Sequence, residues 1–152
     1  MARMHSKKKG KSGSIHPPAK IVPSWGQLSK DEVVETIIQL AKEGKSSSEI
    51  GLILRDQYGI PSIKTLLRKS VLQILKENNL AKKYPEDLMN LMRKAVRLRK
   101  HLEIHKQDQC NVKALKLVES KIKRLTAYYK SIKVLPENWY YKPEQAALII
   151  KE

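Results

Sequence analysis

Residues 85–133 read PEDLMNLMRKAVRLRKHLEIHKQDQCNVKALKLVESKIKRLTAYYKSIK, and this stretch decides the fold. Mostly apolar side chains recur in it at alternating steps of three and four, a spacing that places them on one face of a helix. The first set comprises Leu88, Leu91, Ala95, Leu98, Leu102 and His105, and the second comprises Leu115, Val118, Ile122, Leu125, Tyr129 and Ile132. Two helices with such faces and a short connection pack antiparallel. The sequence therefore predicts an all-α fold built on a long antiparallel helical hairpin, packed with further helices.

Helix-start signals predict those further helices ahead of the hairpin. Ser29 with Glu32, and Ser46 with Glu49, have the spacing of a capping box, in which two residues satisfy each other's free amides at a helix N-terminus. Pro61 is expected to open a single third helical region. No alternation of polar and apolar residues indicates a strand.

The chain is expected to have four parts. Residues 1–24 form a basic tail that is disordered away from its partner, because so polar a segment buries too little to offset the entropy cost of ordering. Residues 25–80 form an N-terminal helical extension that includes the first core helix. Residues 81–133 form the hairpin, and residues 134–152 form a C-terminal extension that contains three aromatic residues.

The net charge of +16 over 152 residues is concentrated in two segments. Residues 1–30 hold seven basic residues and no acid, and residues 93–133 hold thirteen basic and three acidic residues. A field of this sign attracts nucleic acid, whose phosphates release counterions when they are neutralised. An anionic membrane fits less well, because the face opposite the lysines is an interhelical seam without the Trp or Phe of interfacial helices. The outer faces of the hairpin helices carry Arg93, Arg97 and Lys100, then Lys116, Lys123 and Lys130.

The loop between the two helices has three interpretations. His, Asp and Asn side chains can hydrogen-bond base edges and ribose hydroxyls in the shallow minor groove of an A-form RNA helix. Histidines four residues apart also point the same way on a helix, so zinc bound by His101, His105, Asp108 and Cys110 is an alternative. In the third interpretation, His105 simply packs in the seam between the helices.

Residues 46–69 indicate a second class of function, a helix-turn-helix that reads DNA. Gly51 would allow a close helix crossing, and Gly59 lies at the turn. The helix that follows would present Lys64, Arg68 and Lys69. Basic and acidic residues balance over residues 31–92, whereas the hairpin holds an excess of positive charge, so RNA binding by the hairpin is favoured over DNA binding here.

Several classes of protein are not expected. The sequence has no run of eighteen apolar residues that could span a membrane. It has no phosphate-binding glycine loop, nucleophile elbow or carboxylate pair in an apolar context, so an enzyme, a small-molecule substrate and a cofactor are not predicted. A single cysteine and the lack of a secretory apolar segment at the N-terminus favour a cytoplasmic location.

Longer segments resemble the universal small-subunit ribosomal protein S15 family. In the hairpin these are Pro85–Leu88, Val96–Leu102, His105–Asp108 and Arg124–Lys130. The segments Met1–His5, Val22–Trp25, Glu49–Asp56 and Leu135–Trp139 resemble its archaeal and eukaryotic branch. The resemblance spans essentially the whole chain.

This resemblance implies an all-helical protein that binds the central domain of small-subunit rRNA beside other small-subunit proteins. The family can also form a bridge to the large subunit. The loop would read a minor groove through His101, Asp108 and Asn111, the last of which stands where the family has serine, and Tyr128 would contact an rRNA junction. The predicted rRNA contacts are His101, His105, Lys106, Asp108, Asn111, Tyr128, Arg93, Arg97, Lys100, Lys116, Lys123, Arg124, Lys130, Lys7, Lys8, Lys9 and Lys11.

Overall fold

The computed structural model of the chain describes residues 28–151, and within that range it contains seven helices and no strand. The helices are α1 (Lys30–Lys42), α2 (Ser47–Asp56), α3 (Ile63–Leu67), α4 (Val71–Glu77), α5 (Glu86–Ile104), α6 (Gln109–Ser131) and α7 (Pro143–Lys151). The predicted all-α fold is confirmed. Two compact units divide the described residues between Lys83 and Tyr84. No helix in this range combines the length and the apolar character that crossing a bilayer requires.

The unit of residues 28–83 is held together by α1, α2 and α4, which pack against one another. The first two helices begin as the sequence predicted. The Ser29 hydroxyl accepts from the Glu32 amide at 3.3 Å, and the Glu32 carboxylate accepts from the Ser29 amide at 2.7 Å. Ser46 and Glu49 form the same reciprocal pair at the start of α2. The buried core comprises Val33, Ile37, Ile50, Leu54, Ile60, Ile63, Ile74 and Leu75.

The single third helical region predicted after Pro61 is wrong. The helix ends after five residues, because Arg68 adopts a left-handed conformation with φ 54°. Ser70 then caps α4, and the Gln73 side chain accepts from the Ser70 amide at 2.8 Å in a third capping box. The turn between α3 and α4 lets apolar residues on both sides of it face the same core.

Two glycines of this unit lie in different backbone conformations. Gly44 ends α1 with φ +87°, where any side chain is strained. Gly51 lies inside α2, and a Cβ added there would meet nothing within 4 Å. The close helix crossing predicted at Gly51 is therefore wrong.

Alanine is expected to have opposite effects at these two positions. Gly51→Ala should raise the free energy of unfolding by about 0.5–1 kcal/mol, because alanine loses less backbone entropy in a helix. Gly44→Ala should lower it by about 1–2 kcal/mol, the cost of left-handed backbone for a residue with a Cβ. Denaturant titration of both variants measures the two changes, and a Gly51→Ala variant less stable than the wild type would contradict this account.

The unit of residues 84–151 contains the predicted hairpin of α5 and α6, with α7 packed against α5. Met92 lies outside the predicted seam, yet it is fully buried, since a helix that packs on two neighbours needs a wider apolar face. Ile132 was predicted in the seam, but it follows the end of α6 and is exposed. The helix α7 lies in the C-terminal extension and contributes Ala146 to the core. The buried core comprises Leu88, Met92, Ala95, Val118, Ile122, Leu135 and Ala146.

The antiparallel arrangement of α5 and α6 is fixed near both ends by side-chain hydrogen bonds. The Tyr129 hydroxyl, near the end of α6, donates to the Asp87 carboxylate at the start of α5, at 2.7 and 2.8 Å. At the other end, His101 and Asp108 bond across the loop. Burial, together with the Asp87 carboxylate, raises the pKa of the Tyr129 phenol to about 12. Tyr129 is therefore a neutral donor at physiological pH.

Candidate nucleic-acid interface

His101, Asp108 and Asn111 meet where the hairpin turns. Asp108 is the N-cap of α6, and its Oδ1 accepts from the Asn111 amide at 3.0 Å. Its Oδ2 accepts from Asn111 Nδ2 at 2.7 Å and lies 3.1 Å from His101 Nε2. The His101 side chain is 39% exposed and the Asp108 side chain 30% exposed. The three side chains predicted to read a groove thus form one accessible hydrogen-bonded group, the loop cluster.

The bonds within the loop cluster determine what it presents to a ligand. Three hydrogen bonds, the strongest from the Asn111 amide and the next from His101, lower the pKa of the Asp108 carboxyl to about 2. An ionised carboxylate only accepts, so the bond to His101 is donated by Nε2, and the Asp108 oxygens keep lone pairs that can accept further hydrogen bonds. The loop cluster therefore offers hydrogen-bond acceptors, which suit the 2′-hydroxyl and amino donors of an RNA minor groove.

The lowered pKa of Asp108 predicts a stability change in acid. A free aspartate has a pKa of about 3.9, so the contribution of the Asp108 carboxylate is complete above that pH and is lost as the pH falls through about 2. Asp108→Asn keeps a side-chain oxygen as the helix cap but cannot titrate. The difference in Tm between wild type and this variant should therefore shrink from roughly pH 5 to roughly pH 2. A Tm difference that stays constant over this pH range would show that ionisation of Asp108 does not stabilise the fold.

The other loop residues surround this cluster. The interpretation of His105 as a seam residue is wrong, because α5 ends at Ile104 and His105 lies exposed beyond the helix. Its ring centroid is 4.6 Å from that of His101. Ile104 is 79% exposed. An open concavity is lined by His101, Ile104, His105, Lys106, Gln107 and Asp108.

The zinc alternative is not supported by the arrangement of its candidate ligands. Nowhere between residues 28 and 151 do three His, Cys, Asp or Glu side chains come together as a set that could hold a metal ion. Cys110 is exposed in the first turn of α6. Asp108 Oδ2 is already shared between His101 and Asn111.

Most of the predicted phosphate contacts lie exposed on the hairpin. The exposed residues of this set are Arg93, Arg97 and Lys100 on α5, Lys106 in the loop, and Lys116, Lys123 and Arg124 on α6. Lys130 differs, because it is half-buried and its Nζ lies 4.0 Å from the centroid of the Tyr140 ring. The two helices thus present cations outward from a seam that is aliphatic at its centre, as the sequence predicted.

Tyr128 is 56% exposed, and its ring centroid lies 5.4 Å from that of Tyr129. Its ring is therefore accessible to a nucleotide at the end of the hairpin opposite the loop cluster.

The four predicted contacts in the basic tail, Lys7, Lys8, Lys9 and Lys11, lie outside the described residues.

The sequence pattern does not indicate a polar contact that joins α5, α6 and the segment before α7. Arg99 forms an ion pair with Glu119, and Tyr141 lies beside them with its hydroxyl buried. Burial, and then the Glu119 carboxylate, raises the pKa of the Tyr141 phenol. Glu119 is the single acidic residue of α6, and an isolated acid in a basic helix could have indicated an ion pair. Arg99 is therefore part of the packing of this unit, unlike the exposed Arg97 before it and Lys100 after it.

The structure does not contain the recognition helix that the helix-turn-helix alternative requires at residues 46–69. Such a helix must reach base edges in a major groove, and α3 has only five residues. Lys69 lies beyond α3 and forms an ion pair with Glu77 at 2.9 Å. Residues 46–69 therefore do form two helices joined at a turn, but the second is too short to act as the predicted recognition helix.

Comparisons with known proteins cover nearly the whole chain. The Ribosomal S13/S15 N-terminal domain model matches residues 1–60, and the Ribosomal protein S15 model matches residues 69–149. The small ribosomal subunit protein uS15 of Methanospirillum hungatei is 45% identical over 152 residues, which is the full length of both chains. The protein of the same name from Methanococcus vannielii is 48% identical over 151 residues, 99% of this chain and all of that relative.

Proposed function

The chain belongs to the ribosomal protein S15 family, and from this premise we propose that it is a structural protein of the small ribosomal subunit. It binds the central domain of small-subunit rRNA through its helical hairpin. The relatives compared above are named as small ribosomal subunit proteins. The role needs no catalytic group, because the protein acts by binding and positioning RNA.

Phosphate binding supplies most of the affinity in this proposal. The exposed arginines and lysines on α5 and α6 lie on the outer faces of two helices whose inner faces are buried. Such a surface can follow an RNA backbone without rearranging the fold. It carries no sequence information, because phosphates are the same at every position.

The observation that carries the proposal is the loop cluster. Asp108 and His101 are held by hydrogen bonds before any RNA arrives, and both remain accessible. A group fixed in its binding conformation loses little further entropy on binding. The acceptors of the cluster, with cationic side chains on both flanking helices, fit the wide minor groove of an A-form helix between its two phosphate backbones.

A competition experiment tests this function. A labelled central-domain rRNA fragment bound to the full chain is challenged with the unlabelled fragment, an RNA of scrambled sequence and a duplex DNA. We expect the unlabelled fragment to compete best at moderate salt. A preference for DNA, or equal competition by the scrambled RNA, would overturn the proposal.

Removal of one phosphate contact should change the salt dependence of binding. Arg97→Gln should reduce the slope of log K against log salt by about 0.7–0.9 if the guanidinium neutralises one phosphate. Lys69→Gln is the matched control, because the charge of Lys69 is already paired with Glu77. Titrations at four or more salt concentrations measure both slopes. Equal slopes for the two variants would show that Arg97 does not neutralise a phosphate.

A further inference from the structure

Tyr140 is an exposed aromatic residue whose position is fixed by its neighbours. Its side chain is 69% exposed. Trp139 and Tyr141, on either side of it, pack against the core of residues 84–151, and the Trp139 ring lies 6.2 Å from that of Tyr84. Trp139 and Tyr141 are therefore partly buried, and the ring between them is exposed.

One part of the Tyr140 ring is covered by a cation. Lys130 Nζ lies 4.0 Å from the ring centroid, a distance at which an ammonium group is attracted to the face of the ring. This contact places the ring beside α6 while most of the side chain stays exposed. An aromatic face beside an ammonium group matches the two parts of a nucleotide, because a base can stack on the ring while the ammonium neutralises a phosphate.

The charge around the pair indicates which macromolecule would bind it. The segment from residue 93 to residue 133 holds thirteen basic and three acidic residues, so a polyanion is attracted to this unit. A paired base is already stacked on its neighbours within a duplex, whereas an unpaired base has a free face. An unpaired nucleotide of an RNA therefore fits better than a protein side chain or a nucleotide within a duplex.

We propose that Tyr140 and Lys130 form a second RNA contact, in which an unpaired nucleotide stacks on the Tyr140 ring and its phosphate binds Lys130. The proposal rests on the function proposed above and extends it to a site outside the loop cluster. Lys130 follows Asp108 by 22 residues, nearly all of them in α6, which places the two sites about 33 Å apart along the helix. The hairpin would thus bind a duplex at one end and an unpaired nucleotide at the other.

The test compares three full-length chains, wild type, Tyr140→Leu and Tyr140→Phe, on the central-domain rRNA fragment at one salt concentration. We expect Tyr140→Leu to bind about ten-fold more weakly, as loss of one stacked base predicts, and Tyr140→Phe to stay within about two-fold of wild type. On a perfectly paired RNA duplex the three chains should bind equally. Their Tm values should differ little, because the Tyr140 side chain is largely exposed and a cation–π contact at an exposed site is weak.

Photo-crosslinking of the same fragment containing 4-thiouridine provides a second readout, and residue 140 should crosslink to an unpaired position. Wild-type affinity of Tyr140→Leu for the fragment would overturn the inference, as would an equal loss with Tyr140→Phe. An effect that appears only when other ribosomal proteins are present would assign Tyr140 to a protein partner and also overturn it. If the wild type itself does not prefer the central-domain fragment to scrambled RNA, the proposed function fails instead, so the two failures are distinguishable.

Discussion

Replacement of Ile122 by alanine is expected to lower the free energy of unfolding of the hairpin unit by about 2–5 kcal/mol. Ile122 has no exposed surface and lies in the core formed by α5, α6 and α7. The substitution removes buried apolar surface and leaves a cavity that the surrounding helices can only partly fill. Native-state hydrogen exchange measures this directly, because amides of α5 and α6 should exchange faster while those of α1 keep their protection.

Ile104→Ala is the matched control for this prediction. The same atoms are removed from a side chain that is 79% exposed at the end of α5, so the change should be within about 0.5 kcal/mol. If the two variants had equal stability, Ile122 would not be part of a packed core. The antiparallel seam proposed from the sequence would then lose its main support.

The second large effect is expected on RNA binding. His101→Ala combined with Asp108→Asn should weaken binding to the central-domain fragment by about 2–4 kcal/mol, since hydrogen-bonded base contacts contribute about 1–3 kcal/mol each in nucleic-acid readout. The loss should be smaller on scrambled RNA, which is bound through phosphates alone. Filter binding of both RNAs at several salt concentrations measures the loss and should show an unchanged salt slope.

The choice of asparagine at position 108 separates recognition from folding. Asparagine still supplies an N-cap oxygen for α6, so the helix should persist, which circular dichroism can check. If the double variant bound the fragment as tightly as the wild type, the loop cluster would have no role in groove reading. An equal loss on cognate and scrambled RNA would show that these residues contribute to affinity but do not discriminate between sequences.

The hairpin could be predicted from the sequence because its signals are local. Apolar spacing of three and four fixed one face of each helix, and the acidic residues after Pro85 marked the start of α5. The capping boxes at Ser29 and Ser46 did the same for α1 and α2. Each of these signals depends on residues within a few positions of one another, so no knowledge of tertiary packing was needed.

The features that could not be predicted depend on contacts between distant residues. Met92 is buried in a core to which α7 contributes Ala146, and nothing near Met92 in the sequence indicates α7. The break between α3 and α4 is different, because the capping-box spacing of Ser70 and Gln73 is a local signal that could have indicated it, whereas the left-handed conformation of Arg68 is rare for arginine. The spacing had instead predicted one continuous helix there.

The candidate site shows the same division between local and distant contacts. Its residue types could be identified from the polar loop and the cationic helix faces. The hydrogen bond between His101 and Asp108 could not, because it depends on how the chain turns between α5 and α6. The contact of Lys130 with Tyr140 likewise joins α6 to the C-terminal extension, and the sequence pattern of neither segment contains it.

Lysine reactivity in the assembled particle tests the central claim most directly. An amine-labelling reagent is applied to the free chain and to intact small ribosomal subunits that contain it, and mass spectrometry follows Lys100, Lys116 and Lys123, which are exposed on the hairpin in the free chain. If the outer faces of α5 and α6 bind rRNA, these three lysines should lose most of their reactivity in the subunit. Equal reactivity in the free chain and in the particle would show that these cations face solvent, and it would contradict the proposed interface.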